Sequence, residues 1–144
     1  MKFNNAMQQL VYNKIKVWLN KEFTHITVNP LPEPAFEIVH GSSVIFVSIK
    51  DWSEDVIISI TSQVLRGEHA TNPMKSYLLK LNSEMIFGSF ALNAEQHVLF
   101  KHNLIGSTCD TPEFVTALNA VMETADYYDD QLKGFWGGQR GVDG

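Results

Sequence analysis

Residues 44–63 read VIFVSIKDWSEDVIISITSQ, and they decide the fold class that this sequence predicts. The run 44–49 is nearly all apolar, which is typical of a strand covered on both faces. After a short polar turn, Val56, Ile58 and Ile60 alternate with mostly polar residues, which predicts a strand with one inward face. So short a connection favours antiparallel pairing, because parallel strands need a long crossover.

The residues upstream of this stretch predict one more strand and an irregular loop. The run from Phe36 to His40 is mostly apolar and ends at a glycine-serine turn, so it predicts a further strand of the same meander. Pro30, Pro32 and Pro34 precede it. Each proline lacks a backbone N–H and restricts the residue before it, so we expect this segment to be a loop.

The N-terminal residues predict an amphipathic helix. Asn4 or Asn5 can cap its start, and the helix is expected to end before the β-branched residues that begin at Thr24. Apolar residues recur at steps of three and four, at Met7, Val11, Ile15 and Trp18.

A second helix and a hairpin are predicted after the meander. Asn72 can cap this helix, Pro73 suits its first position, and Gly88 is expected to stop it. Its apolar stripe consists of Met74, Tyr77, Leu78, Leu81 and Met85. Two short runs, 89–92 and 98–104, then predict a hairpin.

A third helix completes the predicted order of elements, α-β-β-β-α-β-β-α. Thr111 is expected to cap it, with Pro112 at its first position and Gly134 as its stop. The predicted fold class is α+β, with a five-stranded antiparallel sheet packed by helices. Residues 1–136 are expected to form a single domain, and residues 137–144 a flexible glycine-rich tail.

Composition and charge exclude several kinds of partner. The chain has 144 residues, 44% of them hydrophobic, and its net charge is -5 at pH 7. Lys and Arg are few and scattered, which argues against a nucleic-acid partner. The apolar runs are too short for a membrane span. Cys109 stands alone and excludes an internal disulfide, so a reducing, cytoplasmic location is expected.

The sequence offers no convincing catalytic, metal or cofactor site. Cys109 precedes a helix, but it lacks a nearby base, and Asp110 would oppose a thiolate. Glycines at 134–141 follow a helix, whereas phosphate loops precede one. We therefore expect no enzyme activity and no binding of metal ions or nucleotides. The histidines lack the spacing of a zinc motif, and they stand at His25, His40, His69, His97 and His102.

Two features of the third helix leave alternatives open. Its acidic residues predict a solvated face, although three carboxylates on one face can also hold a divalent cation or serve an interaction. The acidic residues are Glu123, Asp126, Asp129 and Asp130, and the three that share a face are those at 123, 126 and 130. Phe135 and Trp136 either fold back over an edge of the core or offer an exposed aromatic surface to a partner.

Two stretches resemble the YbjN-like family, which is grouped by fold with the type III secretion chaperones. They are Tyr77-Leu78-Leu79-Lys80-Leu81-Asn82 and Phe87-Gly88-Ser89-Phe90-Ala91-Leu92. The shared pattern is a helix ending in Leu-Leu-x-Leu-Asn, a Phe-Gly-x-Phe strand entry and a last helix with Ala-Asp-x-Tyr-Asp, here at 125–129. The resemblance covers about residues 36–138, and Phe135-Trp136-Gly137-Gly138 is similar to a variant of the cyanobacterial branch.

This resemblance implies the same order of elements and a non-enzymatic role. The secretion chaperones are homodimers that wrap extended segments of client proteins over apolar patches, so a protein or peptide client and a homodimer are implied. Those chaperones dimerise through the middle helix, which carries Tyr77, Leu78, Leu79 and Leu81 in this sequence. These four residues are therefore the candidate dimer interface.

The leading hypothesis is a chaperone-like or adaptor protein that binds polypeptide through apolar patches and exposed strand edges. The alternatives are a regulatory protein that acts through stable complexes, and a small enzyme whose site is assembled from distant residues. Trp18, Leu19 and Phe23 are candidate partner-binding residues, because Leu19 and Phe23 are turned off the main stripe of the first helix. The other interpretation of these residues is that the sheet covers them. Phe135 and Trp136 are further candidates.

Overall fold

One antiparallel sheet with helices packed on it forms the fold, as the predicted α+β class requires. The computed structural model describes residues 1–66 and 70–136, and side chains as far as Leu132. The elements within these residues are α1 (Ala6–Glu22), β1 (Thr27–Pro30), β2 (Ala35–His40), β3 (Ser43–Trp52), β4 (Asp55–Leu65), α2 (Asn72–Asn82), β5 (Ser89–Leu92), β6 (Val98–Ile105) and α3 (Thr111–Trp136).

The strands lie in the order β1-β2-β3-β4-β6-β5, so β1 and β5 are the two edges of the sheet. The described residues contain six strands rather than the five expected, because residues 27–30, which include the first of the three prolines expected in a loop, pair with β2. Leu31 N–H donates to the Ala35 carbonyl at 3.0 Å, so alternate residues of β1 bond to β2 while Val28 and Pro30 face the open side. Pro30 has no N–H, and an edge strand tolerates this absence on its outer side.

The apolar run 44–49 is covered on one face only, contrary to the sequence prediction. Ile45, Val47 and Ile49 are buried, whereas Phe46 on the opposite face is 38% exposed. The inward face predicted for β4 is confirmed, since Val56, Ile58 and Ile60 are all buried. Both helices α1 and α3 pack on this inward face, where Tyr12 stacks on Phe36 with ring centroids 4.8 Å apart.

The helix starts were predicted to within one residue. Asn5 caps α1, since its side chain accepts a bond from Gln8 N–H at 2.9 Å. Thr71, not Asn72, caps α2, because its hydroxyl accepts from Met74 N–H at 3.3 Å. In α3, Asp110 rather than Thr111 provides the capping oxygen, which accepts from Glu113 N–H at 2.9 Å. In both corrected cases the proline lies one position further into the helix, where its missing N–H is also tolerated.

The helix ends differ more from the predictions. The end of α1 before Thr24 is confirmed, but α2 ends at Asn82 and does not reach Met85. The Ser83 hydroxyl donates to the Lys80 carbonyl at 2.7 Å, which satisfies an acceptor that a further turn would have used. The stop predicted at Gly134 is wrong, because α3 continues to Trp136.

A single cluster of buried side chains joins the elements. It includes Ile15 of α1, Ile45 of β3, Leu78 of α2, Phe100 of β6 and Leu118 of α3. The single domain expected over residues 1–136 stays a prediction, and the expected tail 137–144 lies outside the described residues. Within the part of the chain that the structure describes, none of the helices combines the length and apolar character of a membrane span.

Candidate functional site

A groove of about 310 Å³ lies between α2 and the edge strand β5, and we call it the α2–β5 groove. Its floor is apolar, since Leu78 and Phe90 are buried against the core. Its rim carries Leu79, which is 71% exposed, and Leu92, which is 38% exposed. The full lining is Lys75, Leu78, Leu79, Asn82, Phe90, Ala91 and Leu92. An apolar rim of this kind is typical of a surface that a partner covers.

Asn82 ties the end of α2 to the middle of β5. Its side-chain Oδ1 accepts from Phe90 N–H at 2.7 Å, and its Nδ2 donates to the Phe90 carbonyl at 3.1 Å. Both distances are those of well-formed hydrogen bonds. This two-point contact fixes the spacing between the helix and the strand, and thereby the width of the groove.

Gly88 turns the chain into β5 with a φ of +78°, a backbone conformation that side chains disfavour. A Cβ at this position would lie 2.7 Å from the Phe100 ring and 2.9 Å from the Lys101 carbonyl oxygen. The absent side chain lets Phe90 pack edge-on against Phe100, with ring centroids 5.0 Å apart. The Phe-Gly-x-Phe pattern therefore has a geometric reason at the base of the groove.

The structure distributes the four candidate dimer residues over different surroundings. Leu78 belongs to the core and Leu81 is half-buried against it, so neither presents a free side chain. Leu79 borders the groove. Tyr77 is 39% exposed on the other flank of α2, close enough to Tyr128 to influence that phenol. Burial raises the pKa of Tyr128, and the neighbouring Tyr77 raises it further.

The partner-binding residues predicted on α1 are mostly core residues. Leu19 and Phe23 are 1% and 3% exposed, so the expectation that they lie partly outside the core is wrong. For Phe23 the reason is α3, whose Phe114 meets the Phe23 ring edge-on at 6.3 Å between ring centroids. Trp18 is half-buried, and its ring centroid lies 5.8 Å from that of Phe114. The Lys14 Nζ atom lies 5.3 Å from the centroid of the Trp18 ring. Phe135 and Trp136 lie outside the residues whose side chains are described.

A second apolar depression, of about 320 Å³, lies beside the start of α3. Phe87 borders it and is 40% exposed, and the neighbouring Ile86 is 90% exposed. The imidazole of His102 meets the Phe87 ring edge-on, with ring centroids 5.8 Å apart. Burial lowers the pKa of His102, so the folded protein favours its neutral form.

Cys109 and the acidic residues of α3, which were considered for catalysis or metal binding, lie in surroundings that suit a structural role. Burial raises the pKa of Cys109 to about 11, and the nearby Glu113 carboxylate adds to the effect, so the thiolate is disfavoured. Asp129 is buried rather than solvated, and its Oδ2 accepts from the Ser42 hydroxyl at 3.0 Å. Asp126 accepts from the same hydroxyl at 3.1 Å. Over residues 1–66 and 70–136, three or more potential ligands do not gather at any point suited to a metal ion.

Five of the groove residues were absent from the candidate sites predicted from the sequence: Lys75, Asn82, Phe90, Ala91 and Leu92. The sequence did carry a signal for two of them, because Asn82 is the last residue of the pattern Leu-Leu-x-Leu-Asn and Phe90 is the last residue of the pattern Phe-Gly-x-Phe. The sequence did not indicate that Asn82 and Phe90 contact each other across the intervening turn. Lys75 had no sequence signal, and Ala91 and Leu92 lie in the stretch 87–92 but outside its Phe-Gly-x-Phe pattern.

The fold is that of the type III secretion chaperones. The crystal structure of the Yersinia pestis type III secretion chaperone SycH, in complex with a stable fragment of YscM2, matches with a TM-score of 0.58. The match covers 82% of this chain and 98% of SycH, at 10% sequence identity. Among curated proteins, no sequence matches this chain significantly.

The chain belongs to the family described as T3SS (YopN, CesT) and YbjN peptide-binding chaperone 1, whose profile matches residues 15–144. The resemblance to YbjN-like proteins, based on residues 77–82 and 87–92, is thereby confirmed. The assignment to a cyanobacterial branch stays a prediction.

Proposed function

We propose that this protein is a chaperone-like protein whose α2–β5 groove binds an apolar segment of another polypeptide. The observation that carries the proposal is Leu79, which is 71% exposed on the rim above a buried apolar floor. The family membership supports a peptide as the ligand. It favours this hypothesis over the regulatory and enzymatic alternatives, so the proposal includes no catalytic role. A cytoplasmic location is part of the same proposal.

The energetic contribution of the groove follows from its exposed side chains. Burying one Leu side chain completely contributes about 1.5–3 kcal/mol. Covering Leu79 and the exposed part of Leu92 therefore gives modest affinity for a short segment. A client that also covers Phe87 and the adjacent apolar depression would bind more tightly, because linked contacts act together.

The charge at the groove favours one kind of segment. Among the described residues, Lys75 is the charged residue that lines it, and it is half-buried beside Leu79. A client carboxylate next to an apolar side chain would pair with this ammonium group at the rim. Such rim charges select partners and increase association rates more than they increase affinity. We therefore propose an extended apolar segment with an adjacent acidic residue.

The test uses a short fluorescent peptide of alternating Leu and Ser residues with one Glu. Leu79→Ser is expected to weaken binding about tenfold or more, since an apolar contact of Leu size is lost. Its stability should change by only about 0.5 kcal/mol or less, because an exposed residue is altered. Val17→Ser is the matched control, as Val17 is 59% exposed on α1, away from the groove. Equal binding by both variants would contradict the proposal.

A homodimer through α2 is the second candidate, and the exposed aromatics on the other flank of this helix favour it. Tyr77 is 39% exposed, and Tyr127 is 57% exposed on the neighbouring α3. Tyr127 packs edge-on against Tyr128 at 4.8 Å between ring centroids. Tyrosines are enriched at protein interfaces, because they bury a large area at small entropic cost. This flank can be covered by a second copy while Leu79 remains available to a client.

A further inference from the structure

The sheet ends in two edge strands, β1 and β5, and unpaired backbone groups at such edges are templates for the addition of another strand. An extended client is therefore able to bind in two ways. It either adds as a strand through its backbone, or it places its side chains in an apolar groove. The state of the two edges decides between these modes.

The edge at β1 is blunted by its own sequence. Thr27 and Asn29 direct their backbone groups toward β2, so Val28 and Pro30 face the open side. Pro30 has no N–H to donate. Of these two outward residues, only Val28 offers a complete donor and acceptor pair, which is too little to hold an added strand.

The edge at β5 is occupied at its centre. Phe90 lies opposite Phe100 in the ladder, and its N–H and carbonyl bond to Asn82 at 2.7 and 3.1 Å. The backbone of Phe90 therefore points away from β6, toward the open side where an added strand would pair. Leu92 faces the same way two residues later, at the end of the strand. With the N–H and carbonyl of Phe90 occupied, Leu92 is the one residue of β5 whose outward backbone N–H and carbonyl remain for an added strand.

The amide of Asn82 imitates the peptide group of a neighbouring strand. It supplies one acceptor and one donor in the order that Phe90 requires. An aspartate at this position supplies acceptors only, and an alanine supplies neither. The chemistry of the side chain is therefore matched to closing a strand edge.

We infer that Asn82 guards the free edge of β5 and so determines how the groove recognises a client. The segment is bound by its side chains and not by backbone pairing with Phe90. This inference rests on the proposed function of the groove. When Asn82 is removed, the Phe90 N–H and carbonyl open beside the apolar lining, and an extended peptide is then able to add as a strand.

The test compares the Leu/Ser peptide with an analogue whose backbone nitrogens are methylated, which prevents it from donating backbone hydrogen bonds. The wild-type protein is expected to bind both peptides with similar affinity. Asn82→Ala is expected to prefer the unmodified peptide about fivefold, because methylation removes one hydrogen bond of ordinary net strength, the one from a peptide N–H to the Phe90 carbonyl. Asn93→Ala is the matched control, because Asn93 also accepts backbone bonds, from Glu95 and His97, but in the turn after β5.

Amide hydrogen exchange at Phe90 tests, without any peptide, whether Asn82 protects the backbone of β5. Exchange is expected to be slow in the wild type and fast in Asn82→Ala. Asn82→Asp should be intermediate, because it keeps the acceptor for Phe90 N–H and loses the donor to the carbonyl. This second variant also serves if Asn82→Ala does not fold.

The outcomes separate the two proposals. If neither peptide binds to the wild type, the proposed function fails, and Phe90 exchange still decides whether Asn82 guards the edge. If methylation abolishes binding to the wild type, the client adds as a strand and the inference is overturned. Unchanged exchange at Phe90 in both Asn82 variants overturns it as well.

Discussion

Gly88 shows how one residue without a side chain sets the geometry of the groove. We expect Gly88→Ala to lower the free energy of unfolding by about 2–5 kcal/mol, as the sum of left-handed backbone strain and overpacking. The overpacking arises because the new Cβ would lie 2.7 Å from the Phe100 ring. Denaturant unfolding of the variant and the wild type measures this loss.

Gly41 provides the control for this substitution, since its φ of +58° is also left-handed. A Cβ there would meet only the Asp126 Oδ1 atom, at 3.8 Å, which is ordinary contact. Gly41→Ala should therefore cost only the backbone strain, about 1–2 kcal/mol. Equal losses in the two variants would show that crowding against Phe100 contributes nothing.

His102 links the stability of the fold to pH. Burial lowers its pKa in the folded protein below the ordinary value of 6.5, while the unfolded chain keeps that value. As pH falls through about 6.5, the unfolded state binds a proton first, so stability decreases until the lower folded pKa is passed. His102→Gln should flatten this decrease, which urea unfolding at several pH values below 7 measures. An unchanged slope in the variant would exclude His102 as its source.

At the scale of the elements, the parts that follow from local patterns were predicted and the parts fixed by distant contacts were not. The stripe of α1 and the alternation of β4 depend on residues a few positions apart, which the sequence displays. The strand β1 depends on pairing with β2, and Pro30, together with the two prolines that follow the strand, concealed it. The end of α2 depends on bonds from Ser83 and Asn82 that no periodicity reveals.

The candidate site was predicted in part for the same reason. Residues 77–82 and 87–92 were identified as informative, and the groove lies between the two elements they form. Which flank of α2 each residue occupies depends on where β5 and α3 lie. The burial of Phe23 could not be predicted either, since Phe114 of α3 contacts it from more than ninety residues along the chain.

The buried face of α1 provides a test at this scale. Leu19 is 1% exposed, so Leu19→Ala is expected to cost about 2–5 kcal/mol of stability, through lost burial and the cavity left behind. Val17, two residues away on the same helix, is 59% exposed, and Val17→Ala should cost about 0.5 kcal/mol or less. Chemical denaturation of both variants measures the difference. Similar small losses would place Leu19 outside the core.

At the scale of the whole molecule, α2 lies between two surfaces with different proposed partners. The flank with Leu79 borders the apolar groove, and Tyr77 on the other flank lies near Tyr128 of α3, which contacts the exposed Tyr127. If a second copy covers the tyrosine flank, each protomer keeps its own groove. A homodimer would then present two grooves to one extended client, which increases the effective concentration of the second contact.

The mass of the protein in solution tests this arrangement. Light scattering at micromolar concentration is expected to give twice the 16.3 kDa of the chain. The double variant Tyr77→Ser with Tyr127→Ser should give the mass of one chain, because the aromatic area that stabilises the contact is removed. Leu79→Ser should remain dimeric, since it alters the groove only. A wild type that is monomeric under these conditions would exclude the homodimer, and a monomeric Leu79→Ser variant would place the contact in the groove.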